Sequence, residues 1–129
     1  MIFFAAASFA CNCPSWSLAE NFDNAATVFL GHVSNARELP KTHKVQLSFT
    51  VIENFKGTPS ALHGTLTTSR WEATCGVPVP VGRDYVFFVG RDGTVSRCSG
   101  TFELDRPPKL DEHAAEIRKL AADRRSQHP

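Results

Sequence analysis

Lys44-Val45-Gln46-Leu47-Ser48-Phe49-Thr50-Val51-Ile52-Glu53 alternates with a period of two. That period puts Val45, Leu47, Phe49 and Val51 on one face of a β-strand and predicts a half-buried sheet. Working outward, Asn54-Phe55-Lys56-Gly57 turns the chain and Thr58-Pro59 extends the break. Upstream, Ala26–Val33 (ATVFLGHV) reads as a strand in which Gly31 marks a bulge or bend. The polar stretch Ser34–Thr42, with Pro40, reads as a loop. Downstream, Ala61–Thr68 (ALHGTLTT) is a weaker strand, and Trp71–Pro80 is irregular. Asp84–Gly90 (DYVFFVG) is a strong strand, followed by an Asp-Gly hairpin signal in Arg91-Asp92-Gly93-Thr94. Val95–Leu104 is the last strand, interrupted near Ser99-Gly100.

Two helices flank these strands. Pro14 keeps Cys13 extended. Ser17 then caps a short helix over Leu18–Phe22, with Glu20 at capping-box offset. After Arg106-Pro107-Pro108, the residues Leu110, Ala114, Ile117 and Ala121 recur at helical spacing with charges between them. They predict an amphipathic helix over Asp111–Arg124, packed on the strands. The expected fold is mainly β: a five-stranded closed barrel of OB type with a short N-terminal and a C-terminal amphipathic helix. The chain divides into 1–10, the remnant of a signal peptide; 11–105, the barrel domain; and 106–129, helix and tail.

A chain of 129 residues suffices for one core. Its net charge of +1 gives no electrostatic ground for binding a nucleic acid backbone or a membrane surface. No stretch is long and apolar enough to span a bilayer. The cysteines, Cys11, Cys13, Cys75 and Cys98, form one close C-x-C pair and two isolated positions, unlike the two close pairs of a zinc site. Two disulfides are the expectation, each closing a long loop and contributing on the order of 4 kcal/mol. Three connectivities are open from the spacing alone, although bonding Cys11 to Cys13 is sterically poor.

Met1–Ala10 (MIFFAAASFA) is apolar and ends in the small-x-small pattern Ser8-Phe9-Ala10, a signal-peptidase signature just before Cys11. A buried N-terminal strand and a lipidated Cys11 are the alternatives. The expected location is secreted or periplasmic. No Ser-His-Asp arrangement, phosphate loop or dinucleotide fingerprint asks for catalysis, so the chain is not read as an enzyme and no cofactor is expected. His32, His43, His63, His113 and His128 show no metal-ligand spacing. Trp16 and Trp71 read as packing residues near the disulfides, with partner contact as the alternative.

Cys11-Asn12-Cys13-Pro14, then Val51-Ile52-Glu53-Asn54-Phe55-Lys56-Gly57, then Cys75-Gly76-Val77 ahead of Val81-Gly82 and Tyr85-Val86, stand in one order. Over Cys11 to about Leu104 this order resembles the N-terminal, netrin-like domain of the tissue inhibitors of metalloproteinases. The resemblance implies the pairs Cys11–Cys75 and Cys13–Cys98. It also implies inhibition: the α-amino nitrogen and carbonyl oxygen of a free N-terminal Cys11 chelate the open position of a target protease's zinc. Asn12 enters the specificity pocket, and Cys13, Pro14, Glu72, Ala73, Thr74 and Cys75 complete the contact ridge. The chain departs from the family in lacking its third disulfide in this domain, with Asp23 where the first of those cysteines stands. Asn12 replaces a usual Ser or Thr, and the C-terminal helix stands in place of a second subdomain.

The expected partner is thus a zinc metalloproteinase or another extracellular protein, met by a monomer. A netrin-like module that holds a protein or glycan without touching zinc is the alternative. An OB domain for single-stranded nucleic acid and a thiol-based metal carrier are further readings, the first opposed by the near-neutral charge.

Overall fold

The computed structural model describes residues 12–71, 75–77, 81–104 and 111–127. Their order is α1 (Leu18–Asn24), β1 (Thr27–Leu39), β2 (Lys44–Lys56), β3 (Thr65–Ser69), β4 (Asp84–Val89), β5 (Thr94–Val95), β6 (Phe102–Glu103) and α2 (Glu112–Gln127). Short 3-10 turns precede β3 at Pro59–Leu62 and follow β5 at Arg97–Ser99. The strands form one sheet in the order β5-β3-β2-β1-β4-β6. Its pairings are antiparallel except for β3 with β5, which is parallel.

The sheet curls into a half-barrel rather than the closed five-stranded barrel expected. The predicted strand Val95–Leu104 is split: β5 and β6 hold two residues each, separated by the 3-10 turn and by Gly100 at φ 102°. The outer edge of β4 pairs with β6 through Tyr85↔Glu103 and Val86↔Phe102. Among the described residues β4 and β5 are not paired; in the turn between them the Gly90 amide donates to the Thr94 carbonyl at 3.0 Å. Two residues are too few to build the ladder that would close the ring.

β1 also differs from expectation. It runs to Leu39, six residues past Val33, and the reversal is confined to Pro40–His43. Residues Ser34–Glu38 are exposed and, Ala36 apart, polar, so no apolar alternation marked them as strand; Asn35–Leu39 are held by backbone pairing to Lys44–Ser48. β3 begins at Thr65 because Pro59 opens the 3-10 turn and His63 adopts a left-handed conformation. The break expected at Gly31 is present as a register shift between Leu30 and Gly31, with Ile52 the extra residue on the β2 side.

Both faces of the central strands are covered, which is why β1 and β4 begin as continuous apolar runs while β2 alternates. Inside the curl pack Phe29, Val33, Leu47, Phe49, Leu66, Tyr85, Phe87 and Val95. The Phe29 ring lies 4.6 Å from Phe49 and 5.4 Å from Phe87. On the other face Val28, Leu30, Phe55, Val86 and Phe88 meet Phe22 of α1 and Ile117 and Ala121 of α2. Val51, expected on the buried face, is 41% exposed. It lies beyond Ser48↔Thr65, the last β2–β3 pair, and opposite Gly31, which offers no side chain to pack on.

The helices end where local chemistry dictates. The Ser17 hydroxyl accepts from the Glu20 amide at 3.1 Å and the Glu20 carboxylate accepts from the Ser17 amide at 3.2 Å, so the predicted capping box is present. Asp111 caps α2, accepting from the Ala114 amide at 3.1 Å. The predicted face of α2 is buried at Ala114, Ile117 and Ala121; Leu110 lies outside the described residues. Two forked ion pairs orient the helix. Arg118 Nε and Nη2 donate to the two oxygens of Glu53 at 2.9 Å each. Arg124 grips Asp23 at 2.8 and 2.9 Å, and this bond holds the Asp23 carboxyl below its usual range.

Glu53 belongs to the motif Val51–Gly57, and its neighbours are equally structural. Asn54–Lys56, expected to turn the chain, instead continue β2 by pairing with β1, and Asn54 Nδ2 donates to the Gly57 carbonyl at 3.0 Å where the strand ends. Phe55 is buried against α2. Lys56 Nζ donates to the carbonyls of Phe22 and Asp23 at 2.8 and 3.0 Å, satisfying the C-terminal end of α1. Gly57 has φ +74°, and a Cβ there would lie 2.5 Å from the Ala26 carbonyl oxygen. The motif therefore specifies how β2 leaves the sheet and meets the helices.

Candidate functional site

The C-x-C segment is tied to the 3-10 turn that follows β5. Cys13 bonds Cys98 with an S–S distance of 2.04 Å across a sequence separation of 85. This is one of the two pairs that the resemblance implies. Cys75 is also disulfide-bonded, and among the described residues no cysteine is free. Its expected partner, Cys11, lies outside the described residues, as do Glu72, Ala73 and Thr74 of the expected ridge.

The described part of the site is compact. The Cys75 sulfur lies 3.5 Å from that of Cys98, and the sulfurs of Cys13, Cys75 and Cys98 fall within 4.8 Å of one another. Bonded as disulfides, they do not present the thiolates that a soft metal takes, so the cluster is a clamp in this state. Asn12, Cys13 and Pro14 are exposed and lie ahead of α1 without regular structure. The Trp16 amide donates to the Pro14 carbonyl at 2.9 Å, turning the chain into the Ser17 cap. A tethered, exposed strand of backbone is thus presented at the surface.

Two backbone hydrogen bonds and one to a side chain set Cys75 and its neighbours in place. Cys75 has φ 65°, and its carbonyl accepts from the Arg97 amide at 2.9 Å, beside Cys98. The Gly76 amide donates to the Trp71 carbonyl at 3.0 Å. The Val77 amide donates to the Thr68 hydroxyl at 3.0 Å inside the protein, and Val77 joins the core within the curl. Removing the clamp has a calculable cost. The double substitution Cys13→Ser/Cys98→Ser is expected to lower stability by about 4–5 kcal/mol, because an 85-residue separation becomes unconstrained in the unfolded chain. Guanidinium unfolding of the two forms checks it; a loss under about 1 kcal/mol would show that the remaining structure already restrains these ends.

Trp16 and Trp71 are 46% and 48% exposed, so neither is a core residue. The Trp71 ring stacks on His43 with centroids 4.8 Å apart, and the Arg70 amide donates to the His43 carbonyl at 2.8 Å. No sequence pattern announced this pair, which is formed by β2–β3 register across 28 positions. Of the other histidines, His32 bonds Asp84 at 2.7 Å and His113 meets the edge of Phe102. His128 lies outside the described residues. Among the described residues no helix is long and apolar enough to cross a membrane. Comparison with protein-family models and with curated proteins found no match.

Proposed function

We propose that this chain is an exported inhibitor of a zinc metalloproteinase, with a netrin-like barrel of OB type and a mature N-terminus at Cys11. The observation that carries the reading is the clamp: Cys13 bonded to Cys98, with the Cys75 sulfur 3.5 Å away, next to exposed Asn12 and Pro14. A two-point chelate needs an amine and a carbonyl held in fixed relation, and a tether on the residue two positions along lowers the ordering cost of binding. The α-amino group, with a reference pKa of about 8, is available as a neutral ligand at little cost. The Cys11 thiol is spent on its own bridge in this reading and stays off the zinc. Asn12 then points its amide into the protease pocket, where it must find partners to offset desolvation.

The barrel reading is supported by the parallel β3–β5 pairing and by the tight β4–β5 turn, which bring the two ends of the curl near each other. A disulfide-clamped chain fits an oxidising compartment. The order of the three motifs supports the family. The test is inhibition of a panel of zinc metalloproteinases by protein that starts at Cys11 with both bridges verified by mass. Saturable, stoichiometric inhibition of at least one member is expected. A fully bridged protein that inhibits none would sink the reading for that panel and favour a module that binds without touching zinc.

A further inference from the structure

A groove of about 470 Å³ lies between the C-terminal end of α1, the last residues of β2 and the C-terminal half of α2. Its size falls within the range of about 300–1,000 Å³ common to small-ligand sites. It is on the helix-covered side of the sheet and shares no residue with the disulfide clamp. The floor is apolar, formed by the buried residues Phe22, Phe55 and Ala121. The rim is cationic: Lys56, Arg124 and Arg125 stand against one carboxylate, Asp23, and Asp123 lies outside the lining. The Asp23 carboxylate is already engaged, because Arg124 Nε and Nη2 both donate to it. Lys56 Nζ donates to two carbonyls at the end of α1 and lies 5.4 Å from the centre of the Phe22 ring. An ammonium carries three donors, so one remains. Arg125 is exposed and, among the described residues, forms no ion pair. Burial is the main cause that holds the Lys56 ammonium below its usual range, so an added anion would offset that cost.

This arrangement selects among ligand chemistries. A metal cation meets an excess of positive charge. A neutral apolar ligand would desolvate Lys56 further and supply no acceptor. Inorganic phosphate would satisfy the cations and leave the apolar floor in water. An extended polyanion calls for a long stripe of cations, whereas the whole chain carries a net charge of only +1. A carboxylate on a compact apolar body meets both halves of the groove. One oxygen can accept from the ammonium and the other from a guanidinium, while the body covers Phe22, Phe55 and Ala121. We propose that the groove binds a small organic acid, with Lys56 and Arg125 as donors to its carboxylate. Both guanidinium groups of the rim come from α2, so the helix that completes the core also completes the site. The inference rests on this groove alone and is independent of zinc chelation.

The test follows the backbone amides of the bridged protein by NMR during titration. The probes are hexanoate and phenylacetate, their uncharged analogues hexanamide and phenylacetamide, inorganic phosphate and a heparin hexasaccharide. At least one acid is expected to give saturable shifts at the amides of Asp23, Lys56, Gly57 and Arg125. Its affinity is expected to exceed that of its amide analogue and of phosphate at least tenfold. Binding is also expected to move the titration of Lys56 to higher pH, read at its side-chain carbon resonances. Arg125→Glu, at an exposed position, is expected to weaken the acid at least tenfold with the melting transition retained, and Arg125→Lys to keep most of the affinity. Absence of saturation by both acids, equal binding of an acid and its amide, an unmoved Lys56 titration, or unchanged affinity in Arg125→Glu would each overturn the proposal. So would phosphate or the heparin hexasaccharide binding as tightly as the acid.

Discussion

Ile117→Ala is expected to destabilise the protein by about 2–5 kcal/mol, the range for truncating a fully buried branched side chain. Ile117 is 0% exposed and sits between Phe22 of α1 and the sheet residues Val28, Phe55 and Phe88. Alanine leaves a cavity that these neighbours cannot close easily. The sheet limits movement from one side, and the forks Arg118–Glu53 and Arg124–Asp23 hold the helix from the other. The forks themselves are exposed enough for water to screen them, so they contribute far less than the apolar contact. The prediction therefore separates two roles for α2. If it completes the core, Ile117→Ala moves the urea midpoint strongly, whereas Arg124→Ala moves it little. If it is an appendage, neither changes the unfolding of the sheet. A midpoint shift in Ile117→Ala worth less than about 1 kcal/mol would support the second description.

Gly76→Ala is expected to cost more than about 3 kcal/mol, at the upper end of overpacking effects. A Cβ at Gly76 would lie 2.2 Å from the Ser69 carbonyl oxygen and 2.8 Å from that of Trp71. Both obstacles are backbone, so no rotamer change relieves them. The movement would also pull on Val77, whose amide bonds Thr68, and on Cys75 beside the clamp. Gly82→Ala supplies the control. Gly82 has φ +89° but nothing within 4 Å of a Cβ, so only the conformational cost of about 1–2 kcal/mol applies. Equal losses in the two variants, measured by thermal or denaturant unfolding, would mean that close approach is not what requires Gly76.

What the residues revealed and what they concealed follow from the range of the forces involved. The alternation of Lys44–Glu53 as far as Phe49, the apolar run Asp84–Val89, the Ser17–Glu20 box and the face of α2 are local patterns, and each is present. The extension of β1 to Leu39 was hidden because Asn35–Glu38 is paired but not buried. The interruption expected near Ser99-Gly100 is present as the 3-10 turn Arg97–Ser99 and Gly100, but the pairing of β6 with the edge of β4 is a long-range contact that the run Val95–Leu104 does not encode. Asp23, read as a missing cysteine, instead pairs with Arg124, an ion pair between residues 101 positions apart. At the candidate site, the Cys13–Cys98 bond came from the resemblance, since spacing alone left three pairings open. The His43–Trp71 stack had no sequence signal at all, since it exists only once β2 and β3 are in register.

The motif Val51–Gly57 illustrates the difference between evidence for a fold and evidence for a function. Glu53, Asn54, Phe55, Lys56 and Gly57 each close a turn, fill the core or tie down a helix. A chain could keep all of them and inhibit nothing. The inhibitory reading therefore depends on the segment that begins at Cys11, and on its amine being free.

A single added residue tests that point most directly. Protein beginning at Cys11 is compared with protein carrying one alanine before it, both fully bridged, against a metalloproteinase that the first form inhibits. The extension turns the α-amine into an amide, which cannot donate a lone pair to zinc, while the clamp and the core stay as they are. The account predicts that inhibition falls by at least about 100-fold, or about 2.7 kcal/mol, with an unchanged melting temperature. Equal inhibition by the two forms would contradict it and place the contact with the protease elsewhere on the surface.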